Sequence, residues 1–209
     1  HRFTRVKTNL KSPVLGVLYG NRDFFPDALV TEARADIAKL FGQLGIKAIQ
    51  LGESDSKLGG VETHNDARKC AELFKKHADE IDGVLVCLPN FGDEKGVADT
   101  LKLAGLNVPV LIQGYPDDPK QLMPSRRRDS FCGKISVCNN LVQAGIKFSL
   151  TSKHVSHPTS DSFKRDLQKF LGVCRVVNGL RGVRLGAVGA RPGAFNTVRY
   201  SEKILERHG

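Results

Sequence analysis

Between Gly83 and Gly92 the chain reads GVLVCLPNFG, an unbroken apolar run that stops abruptly in Pro89, Asn90, Phe91 and Gly92. Apolar residues stand at every position from Val84 to Leu88, without the alternation of a half-exposed strand. That pattern suits a strand covered by helices on both faces, and the run is expected to be a central parallel strand. Val14 to Gly20, VLGVLYG, is a second such run, and it also ends in polar residues, Asn21 and Arg22. In open α/β sheets, ligands bind beyond the carboxyl ends of the strands, where strand order reverses. If these two strands are neighbours, their polar tips meet at such a place.

The rest of the chain alternates in the same way. Leu29, Ala33, Ile37, Leu40, Phe41 and Leu44 recur at helical spacing, and Gly45 closes that helix. Ile46 to Leu51 is expected as a short strand and Gly52 to Gly60 as a polar loop. A second helix carries Ala67, Cys70, Ala71, Phe74 and Ala78. After the central strand, Asp93 caps a helix with Val97, Ala98 and Leu101 that ends near Gly105. Val108 to Gly114 is the next strand. The stretch from there to Arg128 is too long for a simple connection and marks a functional or mobile loop. Ser130 is expected to cap a helix presenting Ile135, Cys138, Leu141 and Val142, with Gly145 as its stop and Ile146 to Leu150 as a fifth strand. Five βα-type units with short connections predict a flavodoxin- or Rossmann-like three-layer α/β fold with a parallel sheet.

Beyond Thr151 to Thr159, Phe163, Leu167, Phe170, Leu171 and Cys174 predict a long helix leaving the first sheet. Residues 183–189, VRLGAVG, start a new strand, followed by ARPGAFNT and a helix with Ile204 and Leu205. One strand and one helix cannot enclose a core. The expected division is a first α/β domain over 1–155, a connecting helix over 156–180, and the start of a truncated second α/β domain over 181–209.

A chain of 209 residues, 40% hydrophobic and 26% charged, has the composition of a soluble globular protein. No apolar run approaches the roughly 20 residues needed to span a bilayer, and the N-terminus lacks a signal-peptide core. A cytoplasmic protein with no membrane partner is expected. The five cysteines, Cys70, Cys87, Cys132, Cys138 and Cys174, fit reduced and mostly buried thiols. The net charge of +10 invites an anionic partner. Only Arg126, Arg127 and Arg128 form a compact basic run, however, and no nucleic-acid motif is present, so no nucleic-acid partner is expected.

The candidate chemistry lies at the strand tips. Arg22 can donate paired hydrogen bonds to hydroxyls or an anion, or it is a surface loop arginine. Asn90 and Phe91 can offer an amide and a ring to the hydroxyl edge and CH face of a sugar, or they serve a turn and the core. Gln113 and Tyr115 hold the same position on the next strand. Arg127 and Arg128, just before a helix N-terminus, could hold an anion with the backbone amides near Ser130, or simply face solvent. His154 and His157 have no carboxylate or thiol to complete a metal set. The GARPG turn over Gly189 to Gly193 matches neither dinucleotide nor Walker patterns. Cys132 and Cys138, six apart on one helix, do not read as a redox pair. No catalytic motif is evident.

The segments LYGNRDFFP and LPNFGDE, the run RRRDSFCGKISVCNNLVQAGIKF and the later RLGAVGARPGAFNTVRYSEKILERHG together resemble the N-terminal half of L-fucose isomerase-like proteins, related to L-arabinose isomerases. The resemblance covers nearly the whole chain from Val14, in the family's order. It implies a soluble aldose–ketose isomerase with two N-terminal α/β domains and a C-terminal domain, assembled as a homo-oligomer. Its chemistry uses a divalent metal, usually manganese, to polarise the sugar's C1 and C2 oxygens while carboxylates move a proton through an enediol. The metal ligands belong to the end of the second domain and to the third. Manganese is therefore expected in the complete enzyme and not on this chain, which would carry no catalytic and no metal-binding residue.

The resemblance further implies that the loops after the first and central strands close over the active site of a neighbouring subunit. Arg22, Asn90 and Phe91 occupy the matching positions, and together with Asn21, Gln113 and Tyr115, read from the strand tips, they are the expected substrate-binding residues, contacting a small sugar. The family's aromatic after the third strand is often tryptophan, whereas this chain contains none. The alternative is a non-catalytic sugar- or anion-binding α/β module.

Overall fold

Val14–Gly20 and Gly83–Leu88 are strands buried at every position, as covering on both faces requires. The computed structural model describes residues 11–181, 183, 184, 186 and 200–208. The elements are β1 (Val14–Gly20), α1 (Ala28–Leu44), β2 (Lys47–Ile49), β3 (Gly60–Val61) after a short 3₁₀ turn, α2 (His64–Lys76), β4 (Gly83–Leu88), α3 (Glu94–Ala104), β5 (Val110–Gly114), α4 (Ser130–Gln143), β6 (Ser149–Leu150), α5 (Asp161–Leu180) and α6 (Glu202–His208). The strands form one sheet in the order β2-β1-β4-β5-β6, with β3 also paired to β1, and every pairing is parallel. From β1 the chain goes to β2 on one side and resumes at β4 on the other. This is the flavodoxin-like arrangement, and its switch point lies between the tips of β1 and β4.

Alternation along the strands divides the core between two faces. Leu15, Val17, Tyr19, Leu85, Cys87, Leu111 and Tyr115 lie under α1 and α5. Val14, Leu18, Val84, Val86, Leu88, Val110 and Ile112 lie under α2, α3 and α4. Full burial of each large apolar side chain contributes about 1.5–3 kcal/mol. The helix ends obey local rules. Gly45 takes φ 66° and donates its N–H to the Phe41 carbonyl, Asp93 accepts from the Gly96 N–H at 2.6 Å, and Thr63 and Asp66 form a reciprocal capping box.

The structure departs from the sequence pattern in several places, and the strand expected over Ile146 to Leu150 shortens to Ser149–Leu150. The expected polar loop over 52–60 ends in a strand residue, because Gly60 and Val61 pair with Tyr19 and Gly20, past the point where β2 stops. In α4 the N-cap is Asp129, at φ 52°, rather than Ser130, which is buried in the first turn. The inward side of α4 is Ser130, Gly133, Lys134, Val137 and Leu141, while Ile135 and Val142 face outward. Gly133 is the physical reason, since a Cβ there would fall inside the main chain of Phe91. The helix expected to leave the sheet is α5, and it packs back onto it through Phe163, Leu167, Phe170 and Cys174.

The strand expected over 183–189 and the GARPG turn lie outside the described residues, apart from residues 183, 184 and 186. The helix carrying Ile204 and Leu205 is α6. Among the described residues no helix is long and apolar enough to cross a membrane.

Candidate functional site

Pairing of Tyr19 with Cys87 sets the ends of β1 and β4 side by side, so the polar tips do meet. Asn90 donates its amide to the Asn21 side-chain oxygen and accepts from the Gly92 N–H at 3.0 Å. Asn21 in turn donates to the Glu62 carboxylate, while its main chain joins Val61 and Asp93. Burial raises the Glu62 pKa, partly offset by Lys57 and by the bond from Asn21. Lys57 lies 3.0 Å from Asp27 and 3.9 Å from both Asp23 and Glu62. Both asparagines are wholly buried. Their amides hold the two tips together.

Arg22 and Phe91 stand on that support. The Arg22 Nε donates to the Gly92 carbonyl at 3.1 Å, its guanidinium pairs with Glu94, and its Cζ lies 4.5 Å from the centre of the Phe91 ring. Gly92 has φ 74°, and a Cβ there would also meet Leu88 at 2.9 Å, so glycine is required for the turn. Phe25 stacks on Phe91 at 6.3 Å and touches Phe24 at 4.9 Å. Phe24 is 78% exposed. The result is a ledge of three rings with the guanidinium laid over one of them, Phe24 being its exposed ring and Arg22 and Phe91 half-buried, groups of the kind that meet a sugar's hydroxyls and CH face.

Gln113 and Tyr115 sit beside the ledge on the α1 side, and both are wholly buried. Gln113 donates to the Ser156 carbonyl at 2.8 Å, and its own oxygen has no hydrogen-bond partner among the described residues. The Tyr115 hydroxyl donates to Asp36 at 3.1 Å, and burial, the largest cause, raises its pKa. Of the six expected site residues, Arg22 and Phe91 present atoms to solvent.

The long loop is strapped down. Arg128 donates to the Glu32 carboxylate and to the Pro89 carbonyl, each at 2.9 Å, and packs over Tyr115 at 4.6 Å. Arg126 binds the same Glu32 carboxylate at 2.5 Å. Arg127 pairs with Asp129 at 2.7 Å, and that bond raises its pKa. Asp117 accepts the N–H groups of Arg128 and Asp129. Much of the basic run is therefore spent on internal acceptors. His154 contacts the Phe131 carbonyl at 2.9 Å, and His157 contacts Thr159 at 2.8 Å and Asp36 at 3.3 Å. The two imidazoles thus have separate partners. Among the described residues no group of three or more His, Cys, Asp or Glu side chains could hold a metal ion.

The sequence pattern overlooked Glu94, Glu32, Phe24 and Lys134. The carboxylates lie 72 and 96 positions from their arginine partners, Arg22 and Arg128, beyond any local signal. Lys134 had one, because it falls at helical spacing with Ser130, Val137 and Leu141. It is wholly buried, and its Nζ donates to Thr151 Oγ1 and to the His154 carbonyl, each at 2.7 Å. Burial lowers its pKa to about 8.

Comparison with known proteins brings in one family. The sequence profile of the fucose/sulfoquinovose isomerase N-terminal domain matches residues 16–181, from within β1 to just past α5. No curated protein matches the chain.

Proposed function

The chain belongs to the fucose/sulfoquinovose isomerase family through its N-terminal domain, and from that premise we propose that it is the N-terminal portion of a metal-dependent aldose–ketose isomerase. In this reading the domain supplies a cap. Arg22 and Phe91 close over a small sugar held by a neighbouring subunit of a homo-oligomer in the cytoplasm. Phe91 covers the sugar's CH face and excludes water, and Arg22 donates to its oxygens. Exclusion of water protects a reactive enediol and strengthens the electrostatic interactions around it. The observation that carries the proposal is the guanidinium fixed 4.5 Å over the Phe91 ring at the sheet's switch point.

Manganese is the metal proposed for the complete enzyme. The residues described in this chain do not fit a site for it, since none cluster as metal ligands, and no step of the chemistry is assigned to them.

The test is an isomerase assay on the protein that carries this domain, with L-fucose and sulfoquinovose as substrates. Phe91→Ala and Arg22→Ala are expected to raise KM about tenfold or more, the equivalent of ~1.4 kcal/mol, with circular dichroism unchanged. Wild-type kinetics in both variants would refute the cap. Sugar binding with no interconversion by that protein would make the domain a binding module instead.

A further inference from the structure

Arg22 is the cation of the ledge, and its charge is already matched within the chain. Its Nε donates to the Gly92 carbonyl and its Nη2 to the Glu94 carboxylate. The Arg22 and Glu94 side chains are only 26 and 28% exposed, so the pair is partly withdrawn from water. Glu94 opens α3, where the positive end of the helix dipole favours a carboxylate. A guanidinium carries five N–H donors. Those of Arg22 that Gly92 and Glu94 leave over have no acceptor among the described residues. Arg22 thus keeps donors for a ligand while its charge is offset.

The surroundings act in the same direction. The chain as a whole carries +10, yet the segments that bear the tips, 21–27, 57–62 and 90–95, hold five carboxylates against three cations. Lys57 lies 3.0 Å from Asp27 and 3.9 Å from both Asp23 and Glu62. Lys95 has no ion-pair partner among the described residues, and it is exposed to water, which screens it. On the long loop Arg126 and Arg128 share Glu32, and Arg127 pairs with Asp129. The ring faces of Phe24, Phe25 and Phe91 are themselves electrostatically negative. A sulfonate pressed onto this ledge would lose water and gain no unshared guanidinium, which is costly. A neutral sugar meets N–H donors and ring faces without that penalty.

We propose that Glu94 is a specificity-determining residue of the cap. By offsetting the Arg22 charge and leaving its other N–H groups free, it admits an uncharged sugar and turns away one that bears a sulfonate or carboxylate. This inference rests on the isomerase reading of the ledge and narrows its substrate class.

The test is steady-state kinetics on the complete isomerase that carries this domain, with L-fucose as the uncharged probe and sulfoquinovose as the anionic one. The wild type is expected to favour L-fucose in kcat/KM. Glu94→Gln keeps an oxygen that can accept from Arg22 and removes the negative charge. It is expected to raise the ratio of kcat/KM for sulfoquinovose over L-fucose tenfold or more, chiefly through KM. Adding Arg22→Gln to that variant is expected to cancel the gain, and circular dichroism checks the fold of each protein. A merely structural role for Glu94 would weaken both sugars together and leave the ratio unmoved. An unmoved ratio, a wild type that favours sulfoquinovose, or a gain that survives Arg22→Gln overturns the inference while the isomerase reading stands. Conversion of neither sugar by the wild type refutes that reading and this inference with it.

Discussion

The side-chain amide of Asn90 donates to the side-chain oxygen of Asn21, so the tips of β1 and β4 are joined by a buried bond between residues 69 positions apart. Removing the donor strands a buried acceptor and frees the Gly92 N–H. Asn90→Ala is expected to cost about 1–3 kcal/mol. Asn90→Asp is expected to cost more at neutral pH, because it sets a buried carboxylate against the Asn21 oxygen. Urea denaturation measures both, and a loss below that of an ordinary surface substitution would mean the bond does not hold the tips.

Gly133 is where α4 touches the loop bearing Phe91. A methyl group there would collide with main-chain atoms of Phe91 rather than with a flexible side chain. Gly133→Ala is expected to destabilise by about 2–4 kcal/mol, or to shift the 89–92 loop. Thermal unfolding gives the first effect, and NMR shifts of Phe91 and Arg22 give the second. Wild-type behaviour in both would contradict the contact.

Lys134 makes stability depend on alkaline pH. Its folded pKa of about 8 lies below the ordinary 10.5, so between those values the unfolded chain binds more protons. Stability contributed by this group therefore rises with pH across that window, by about 3 kcal/mol at most, and the penalty is fully present below pH 8. Lys134→Met removes the titration. The difference in unfolding free energy between wild type and variant, measured in urea at neutral and alkaline pH, is expected to shift in favour of the wild type as pH rises. Parallel pH profiles would rule the mechanism out.

Glu32 holds Arg126 and Arg128 together through one carboxylate. Arg128 is mostly buried, so loss of the charge leaves a guanidinium short of its partner. Glu32→Gln is expected to cost about 1–3 kcal/mol and to speed amide hydrogen exchange over 117–128. Exchange limited to α1 itself would show that the loop is held by other contacts.

The central strands were legible because apolar runs with no alternation end sharply in polar residues, and that signal needs no knowledge of distant partners. The Asp93 cap and the Gly45 stop are local in the same sense. The orientation of α4 was not legible. Its outward side carries Phe131, Ile135 and Val142, whereas its inward side includes Ser130, Gly133 and Lys134, so apolarity pointed the wrong way. For α5 the spacing of Phe163, Leu167, Phe170 and Cys174 defined a buried stripe without saying what it is buried against. At the site, Asn21 and Asn90 read as polar loop residues open to a ligand. Their burial follows from β1 and β4 being neighbours, which only the assembled sheet reveals. Arg22 and Phe91 were found at the strand tips, but the Glu94 that orients Arg22 lies on α3, the helix that follows the Phe91 loop.

The return of α5 to the sheet bears on how the protein is made. Leu15, Val17, Leu85 and Leu111 share their core with Phe163, Leu167 and Phe170, although β1 leaves the ribosome well over a hundred residues earlier. Until α5 emerges, one side of the newborn sheet has α1 but not α5 to cover it, and a bare apolar sheet invites aggregation. A nascent chain stalled before Asp161 would engage chaperones, and folding to completion would await the release of residues that contribute nothing to the ledge itself.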